Sequence, residues 1–235
     1  LQRDLAFSLN DLGAKVTTII TNTDKTKKED LILNLRNKGI KNIYFLDLPV
    51  NPNLFQIFRG VFKLKSIIRK EKIDIVETSS ESISIFTVLS CLGTNISHVI
   101  GIHKSYNKKN VNFNKFKELI FLLLTKFRKK TYFYAVSNYS RSSWIDFSKT
   151  KKSKVKVIYN AIKKNFEKKP TNEFKKSFLN QLNIPEDSKL ILSVGRICFY
   201  KRQDFIIESL APIIKDQKLF LIFIGENDLD STGSI

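Results

Sequence analysis

Methionine is absent from these 235 residues, cysteine occurs twice, and acidic side chains are outnumbered by basic ones, 22 Asp and Glu against 41 Lys and Arg. Cys91 and Cys198 stand far apart in apolar surroundings with no metal-ligand spacing, so each reads as a buried free thiol, which fits a reducing compartment. No signal-peptide pattern and no apolar run of transmembrane length occurs, which reads as a cytoplasmic protein. No strand is followed by G-x-G-x-x-G, which argues against an ordinary dinucleotide enzyme, and there is no GxxxxGK[ST] phosphate loop. No Ser, His, Asp nucleophile set and no metal-ligand cluster can be assembled, so neither a metal nor a cofactor is expected. The acid deficit leaves a formal net charge of +19. That excess predicts an acidic partner: a phosphorylated substrate, an anionic membrane surface or nucleic acid. Lys, Asn and Ile are all abundant, so part of the excess is compositional bias. Without a recognition helix or an aromatic platform motif, nucleic acid is the partner least expected.

The length suits one large or two small α/β domains with real cores. Residues 190–224 show the organisation most clearly. Leu190 to Val194 is short, apolar and rich in branched side chains, as a buried parallel strand would be. Phe205, Ile206, Leu210, Ile213 and Ile214 then recur at helical spacing, and Leu219 to Ile224 reads as a second strand. Gly195, Arg196, Lys201 and Arg202 fall between the first strand and the helix, where open α/β sheets hold ligands. Glycine permits a sharp turn, the Arg196 guanidinium offers a planar fork for phosphate oxygens, and Lys201 adds a mobile charge.

The same alternation runs through the rest of the chain. Leu5, Leu9 and Leu12 mark a first helix ended by Gly13, followed by a strand from Lys15 to Thr21, a helix from Glu29 to Lys38 and a strand from Asn42 to Leu46. Leu54 to Lys70 reads as a basic helix whose Phe55, Phe58, Phe62 and Ile67 face a core, and Ile73 to Glu77 as the next strand. Asp74 and Glu77 at its ends read as solvated or capping acids rather than a catalytic pair. Ser79, Ser80, Ser82 and Ser84 can cap a helix running to Leu92, and a strand from His98 to Ile102 ends at His103. Phe113 to Lys130 carries an apolar stripe flanked by basic residues. It suits either packing between sheet and neighbour or docking on anionic lipid, and both can hold. Thr131 to Ser137 reads as a strand, Asn138 and Ser140 as caps of the helix to Phe147, Lys151 to Lys156 as a solvated charge run, and Val155 to Asn160 as a strand. Lys163 to Pro170 lacks periodicity and reads as a linker. The expected division is 1–162 for the first domain, 163–170 for the linker and 171–235 for the start of a second. A helix standing first, the lack of methionine and a halt soon after one βαβ unit suggest an excerpt of a longer protein. Two doubly wound domains with a basic phosphate loop imply a nucleotide or phosphosugar ligand, without revealing the reaction.

Val194-Gly195-Arg196 followed by Lys201 resembles the VGR…K signature of the donor-binding domain in GT-B glycosyltransferases of the glycogen-synthase-like group, glycosyltransferase family four. Here Arg202-Gln203 follow Lys201 where that family more often has a Gly. Other segments resemble the family in the same order. LQRDLAFSLNDLGAKVTTIIT is similar to its first helix and second strand, and DIVETSSESISIFTVLSCLGTNISHVIGIHKS to the segment closing on a "vHd" element, with Lys104 where an acid is common. AVSNYSRSS and KVKVIYNAI are similar to the elements that finish its first domain, with Asn160 matching and Ala161 replacing a Gly. The resemblance implies an α/β GT-B fold of two Rossmann-like doubly wound parallel-sheet domains, the second incomplete here. It implies sugar transfer from a nucleotide-diphosphate sugar, with retention and without metal, to a lipid-linked or polysaccharide acceptor. The setting it implies is cell-surface polysaccharide assembly, peripheral to the inner face of the plasma membrane. In that reading Gly195, Arg196 and Lys201 bind the donor diphosphate, Arg196 and Lys201 also act catalytically, and His103 faces the donor sugar. A Gly-rich loop before Leu1 and an E-x7-E pair after Ile235 would complete the family pattern, so this chain alone is expected to bind donor weakly and turn over poorly. The competing expectation is a catalytically incompetent fragment or a basic membrane-binding protein.

Overall fold

A computed structural model describes residues 2–21, 25–47, 53–79, 81–106, 121–126, 128–161, 169–214 and 218–226. The chain divides into two units, Leu1–Ala161 and Ile162–Ile235. Both are α/β, and every strand pair among the described residues is parallel.

In the first unit, helix α1 (Gln2–Asp11) precedes strand β1 (Thr17–Thr21), α2 (Lys25–Asn37), β2 (Asn42–Leu46), α3 (Leu54–Lys70), β3 (Ile75–Thr78), α4 (Glu81–Ser90) and β4 (Ser97–Ile102). Strand β5 (Thr131–Ala135), α5 (Asn138–Ser148) and β6 (Val155–Val157) follow. Strands β1 and β2 form a pair, and β3-β4-β5-β6 form a four-stranded sheet in that order. Local signals set the helix boundaries. Asn53 and Gln56 make a reciprocal capping box at the start of α3. The Ser137 side chain accepts from the Ser140 amide at 3.0 Å, so α5 is capped by Ser137 rather than by Asn138 or Ser140. Gly13 and Gly39 close α1 and α2 with φ of +86° and +80°, a region glycine enters without strain.

The main core lies on the four-stranded sheet. Val88, Ile100, Ile102, Phe121, Phe133, Ala135, Trp144 and Val155 cluster there, with Trp144 1% exposed among Tyr106, Phe121, Phe133 and Phe147. One polar group is sealed beneath α4. His98 is fully buried, its Nε2 lies 2.9 Å from Thr78 Oγ1, and Thr78 in turn lies 2.8 Å from Ser84 Oγ. Burial, with the nearby Arg128 charge, lowers its pKa to about 3, so the ring is held neutral.

Helix α3 departs from the sequence reading. Ile67 is buried as expected, but Phe55, Phe58 and Phe62 are 74%, 60% and 68% exposed. The helix carries two apolar stripes, and only one can face inward. The aliphatic one does: Leu64 and Ile68 pack with Cys91, and Ile57 and Val61 with Leu46 and Phe86. Ser90 supports this choice, its one hydroxyl proton shared between the Phe86 carbonyl of its own helix at 2.8 Å and the Val61 carbonyl of α3 at 3.2 Å.

Of the expected Phe113–Lys130 helix, residues 113–120 and Phe127 lie outside the described residues. Residues 121–126 are helical, with Phe121 buried against Trp144 and Leu123 turned outward. Arg128 is not a lipid-facing charge. It is 8% exposed and donates to the carbonyls of Ile96, Cys91 and Lys130, bracing the turn into β5. In this part of the segment Phe121, Thr125 and Arg128 are buried, while Leu123, Lys126 and Lys129 are exposed.

In the second unit, Thr171 caps α6 (Asn172–Gln181), and β7 (Lys189–Val194), α7 (Gln203–Ile214) and β8 (Leu219–Ile224) follow. Linker residues 163–168 lie outside the described residues. Strand β7 pairs with β8 from Lys189↔Leu219 to Val194↔Ile224. It is not the fully buried strand its composition predicts, since Leu192 and Val194 are 55% and 72% exposed. Alternate side chains leave opposite faces of a strand, and the described residues cover only one face here.

Candidate functional site

Two groups of polar side chains stand at the carboxyl ends of the parallel strands, one in each unit. In the second, Gly195 directly follows β7 with a φ of +154°, a backbone conformation that side-chain-bearing residues rarely adopt. Its amide donates to the Ile224 carbonyl at 2.8 Å, and the Ile197 amide to the Glu226 carbonyl at 2.9 Å. The two strand ends therefore stay zipped past the sheet. They approach so closely at Gly225 that a Cβ there would overlap the Gly195 carbonyl oxygen. Beyond this crossing the chain forms a 3₁₀ turn, Phe199–Lys201, and enters α7.

Gly195, Arg196 and Lys201 thus share one loop, with both cations exposed. The Lys201 Cε lies 3.8 Å from where a Gly195 Cβ would be, so the lysine stem passes over the glycine. Arg202 adopts the left-handed conformation, φ +52°, which explains why glycine suits this position and which costs arginine about 1 kcal/mol. Its guanidinium sits near the Phe199 and Phe205 rings and pairs with Asp204 at 3.3 Å. Gln203 is buried and donates to the Arg196 carbonyl at 2.9 Å, fixing the arginine's backbone. Gln203 and Gly225 were not among the residues singled out from sequence. Gly225 had a usable signal, as a glycine ending an apolar strand; Gln203 had none.

In the first unit, Glu77, Ser79, Gly101, His103 and Tyr134 converge at the ends of β3, β4 and β5. Gly101 pairs with Tyr134 across the sheet. With no side chain at Gly101, the His103 and Tyr134 rings meet edge to face at 5.8 Å. A Cβ there would stand 2.6 Å from the Tyr134 hydroxyl and 2.7 Å from His103 Nε2. The Tyr134 hydroxyl donates to Glu77 Oε1 at 2.9 Å, and the Ser79 hydroxyl donates to the same oxygen at 2.6 Å. Burial raises the Tyr134 pKa to about 12, with the Glu77 charge adding to the shift, so the phenol remains a donor at any ordinary pH. His103 Nε2 has no hydrogen-bond partner in this cluster. The sequence reading set Glu77 aside as a strand-end acid, and the structure gives it two hydroxyl donors beside His103. Asp74 takes no part in this cluster. Among the described residues, no three His, Cys, Asp or Glu side chains converge as a metal set requires.

Residues 2–166 match the family model described as Glycosyltransferase Family 4. The chain belongs to that family. An uncharacterized glycosyltransferase of Methanocaldococcus jannaschii is 32% identical over 81 residues, which are 34% of this chain and 21% of that protein. Among solved structures, a glycosyltransferase from Rickettsia africae superposes with a TM-score of 0.68 at 20% identity, covering 96% of this chain and 63% of its own. Anabaena HepE in complex with UDP superposes with a TM-score of 0.71 at 17% identity, covering 96% of this chain and 56% of its own. The family member described here therefore spans less than two thirds of the length of these relatives. At such identities the superpositions speak for the fold, which is the GT-B α/β fold. No helix among the described residues is long and apolar enough to cross a membrane.

Proposed function

We propose that this chain belongs to a glycosyltransferase that takes its sugar from a nucleotide-diphosphate donor and transfers it with retention to a lipid-linked or polysaccharide acceptor. The observation that carries the reading is the loop from Gly195 to Lys201, which sets two exposed cations, Arg196 and a Lys201 whose stem passes over Gly195, between a parallel strand and a helix N-terminus. When the bond between the sugar's anomeric carbon and the diphosphate breaks, negative charge grows on the departing oxygens. The Arg196 fork and the Lys201 ammonium are suited to hold that charge, which removes the need for a metal to do so. The motif resemblance sets His103 facing the donor sugar; because its Nε2 is buried over Gly101 beside Tyr134, it would reach a sugar hydroxyl only through the other ring nitrogen or after the ring turns, while Gln203 keeps Arg196 in place. Family membership supports the reaction class. The UDP and UDP-glucose complexes of Anabaena HepE support UDP as the first nucleotide to try. Retention, the glycogen-synthase-like grouping, and a place in lipopolysaccharide, capsule or exopolysaccharide synthesis at the inner face of the plasma membrane follow from the motif resemblance. The division into domains at 1–162 and 171–235 rests on the aperiodic run from Lys163 to Pro170.

The test is calorimetric titration of the purified chain with UDP, and with GDP, ADP, CDP and dTDP in turn. One of these should bind, and Arg196→Ala with Lys201→Ala should weaken it by about tenfold or more per residue, since each removes a charge-assisted hydrogen bond. Binding that is equally strong in the double variant, or no binding of any of the five at millimolar concentration, would overturn the proposal.

A further inference from the structure

The exposed stripe of α3 is the feature that neither the fold nor the donor loop uses. Phe55, Phe58 and Phe62 stand 74%, 60% and 68% exposed. At 3.6 residues per turn they fall within an arc of about 60° on the side away from Leu64 and Ile68. Cations flank the arc, Arg59, Lys63 and Lys70 on one shoulder and Lys65 on the other, and Arg69 falls in line with the phenylalanines two turns beyond Phe62. The helix contains no Asp or Glu at all. Two of the cations are partly engaged, Lys65 with the Leu92 carbonyl at 3.3 Å and Lys70 over the Tyr44 ring at 5.5 Å. Arg59, Lys63 and Arg69 are exposed and make no ion pair among the described residues.

We propose that this face of α3 docks on an anionic lipid surface, with the three phenylalanines entering the boundary between headgroups and acyl chains. A soluble interior would not leave three aromatic rings in one line, and a protein partner without net negative charge would meet a helix of cations only. Anionic lipid satisfies both features, apolar depth beneath a negatively charged plane. A capping box fixes the helix start and four core residues, Leu64, Ile67, Ile68 and Val61, fix its rotation, so the stripe is presented without any rearrangement. The proposal deepens the membrane-side reading above by naming the surface that would carry it. It is a second candidate beside Phe113–Lys130, of whose expected apolar stripe only Leu123, exposed, lies among the described residues.

The test is co-sedimentation of the full chain with vesicles of phosphatidylcholine and phosphatidylglycerol, and with phosphatidylcholine alone. Binding is expected only to the anionic vesicles. Replacing Phe55, Phe58 and Phe62 together by Ser, and separately Arg59→Glu with Lys63→Glu, should each weaken it by about tenfold or more, at roughly fivefold per cation lost from the surface. Lys151→Glu with Lys152→Glu, an equal charge change at the exposed start of a second 3₁₀ turn, Lys152–Lys154 before β6, should alter it far less. Circular dichroism melts should be unchanged, because the substituted side chains are exposed. The same variants should keep wild-type nucleotide binding, so failure of this surface and failure of the donor reading are distinguishable. Undiminished vesicle binding by the phenylalanine variant would overturn the proposal. So would equal loss in the Lys151 and Lys152 variant, which would mark mere net-charge attraction. A wild-type dimer that the phenylalanine variant converts to monomer would assign the face to a second copy of the chain instead.

Discussion

Replacing Gly225 by alanine should part the ends of β7 and β8 and carry the basic loop out of position. The new Cβ would overlap the Gly195 carbonyl oxygen and stand 2.6 Å from its carbonyl carbon and 3.2 Å from the Arg196 nitrogen. All three are main-chain atoms, so no side-chain rotation can relieve the clash and one strand end has to move. Two hydrogen bonds resist that movement, Gly195 to Ile224 at 2.8 Å and Ile197 to Glu226 at 2.9 Å. Losing both costs about 1–3 kcal/mol at roughly 0.5–1.5 kcal/mol each. Keeping them instead requires an overpacked crossing at about 1–3 kcal/mol, so the penalty is of that order by either route. Gly195→Ala is the informative partner. It meets nothing closer than Lys201 Cε at 3.8 Å, so its penalty comes from a φ of +154°, about 1–3 kcal/mol, without a steric displacement of the neighbouring strand. The single Trp lies in the first unit and is blind to this change, so hydrogen exchange at the amides of 195 and 197 is the appropriate readout, with nucleotide titration beside it. Gly225→Ala should expose both amides to exchange and weaken nucleotide binding more than Gly195→Ala does. Unchanged protection of the two amides in Gly225→Ala would refute the crossing as a structural constraint, whatever the nucleotide data show.

Two further outcomes concern the first unit, where Trp144 fluorescence reports unfolding. Gly101→Ala should cost about 1–3 kcal/mol in urea unfolding by pushing the Tyr134 hydroxyl and His103 apart, and Tyr134→Phe about 1 kcal/mol by removing a donor from Glu77; the pair together should cost less than their sum, and strict additivity would separate the two residues. The buried His98 ring takes up its proton near pH 6.5 when unfolded and only near pH 3 when folded. Stability is therefore complete above the unfolded value and lost as pH falls toward the folded one, by about 1.4 kcal/mol per unit. His98→Gln should flatten the pH dependence of the urea midpoint between those limits, and identical slopes for the two proteins would count against a neutral, buried imidazole.

The strand and helix alternation was legible because it depends on local signals that this sequence states strongly. Asn42–Leu46 and Leu54–Lys70 coincide with the boundaries read from periodicity, and Gly13 and Gly39 close their helices in the conformation their residue type favours. What periodicity could not decide was a competition between two apolar faces of one helix. On α3, Phe55, Phe58 and Phe62 are the larger side chains, and a reading by hydrophobicity alone puts them inside. The partner surface chose the slimmer aliphatic stripe, where Ser90 donates to the backbone of α3 and closes the approach. That selection is a property of the neighbour and has no trace in the sequence of the helix itself. Arg128 shows the same limit in reverse: beside Lys129 and Lys130 it reads as a surface charge, yet the distant carbonyls of Cys91 and Ile96, with the nearby one of Lys130, offset its burial.

The site was legible to the extent that its chemistry sits in consecutive residues. Gly195, Arg196 and Lys201 form one loop, so the order of residue types alone brought them together. Glu77, His103 and Tyr134 come from three strands, and what unites them is the register that sets Gly101 opposite Tyr134. In sequence Glu77 is an acid at a strand end and Tyr134 an aromatic in an apolar strand, each with an ordinary explanation. Only the pairing of β3, β4 and β5 shows that the empty space above a glycine is filled by a histidine and a phenol, and that the phenol donates its hydrogen bond to the glutamate. The glycine therefore has the same role in both units. Gly101 admits two side chains and Gly225 admits a backbone, and in each case the absent Cβ makes room for polar groups at the end of a parallel strand.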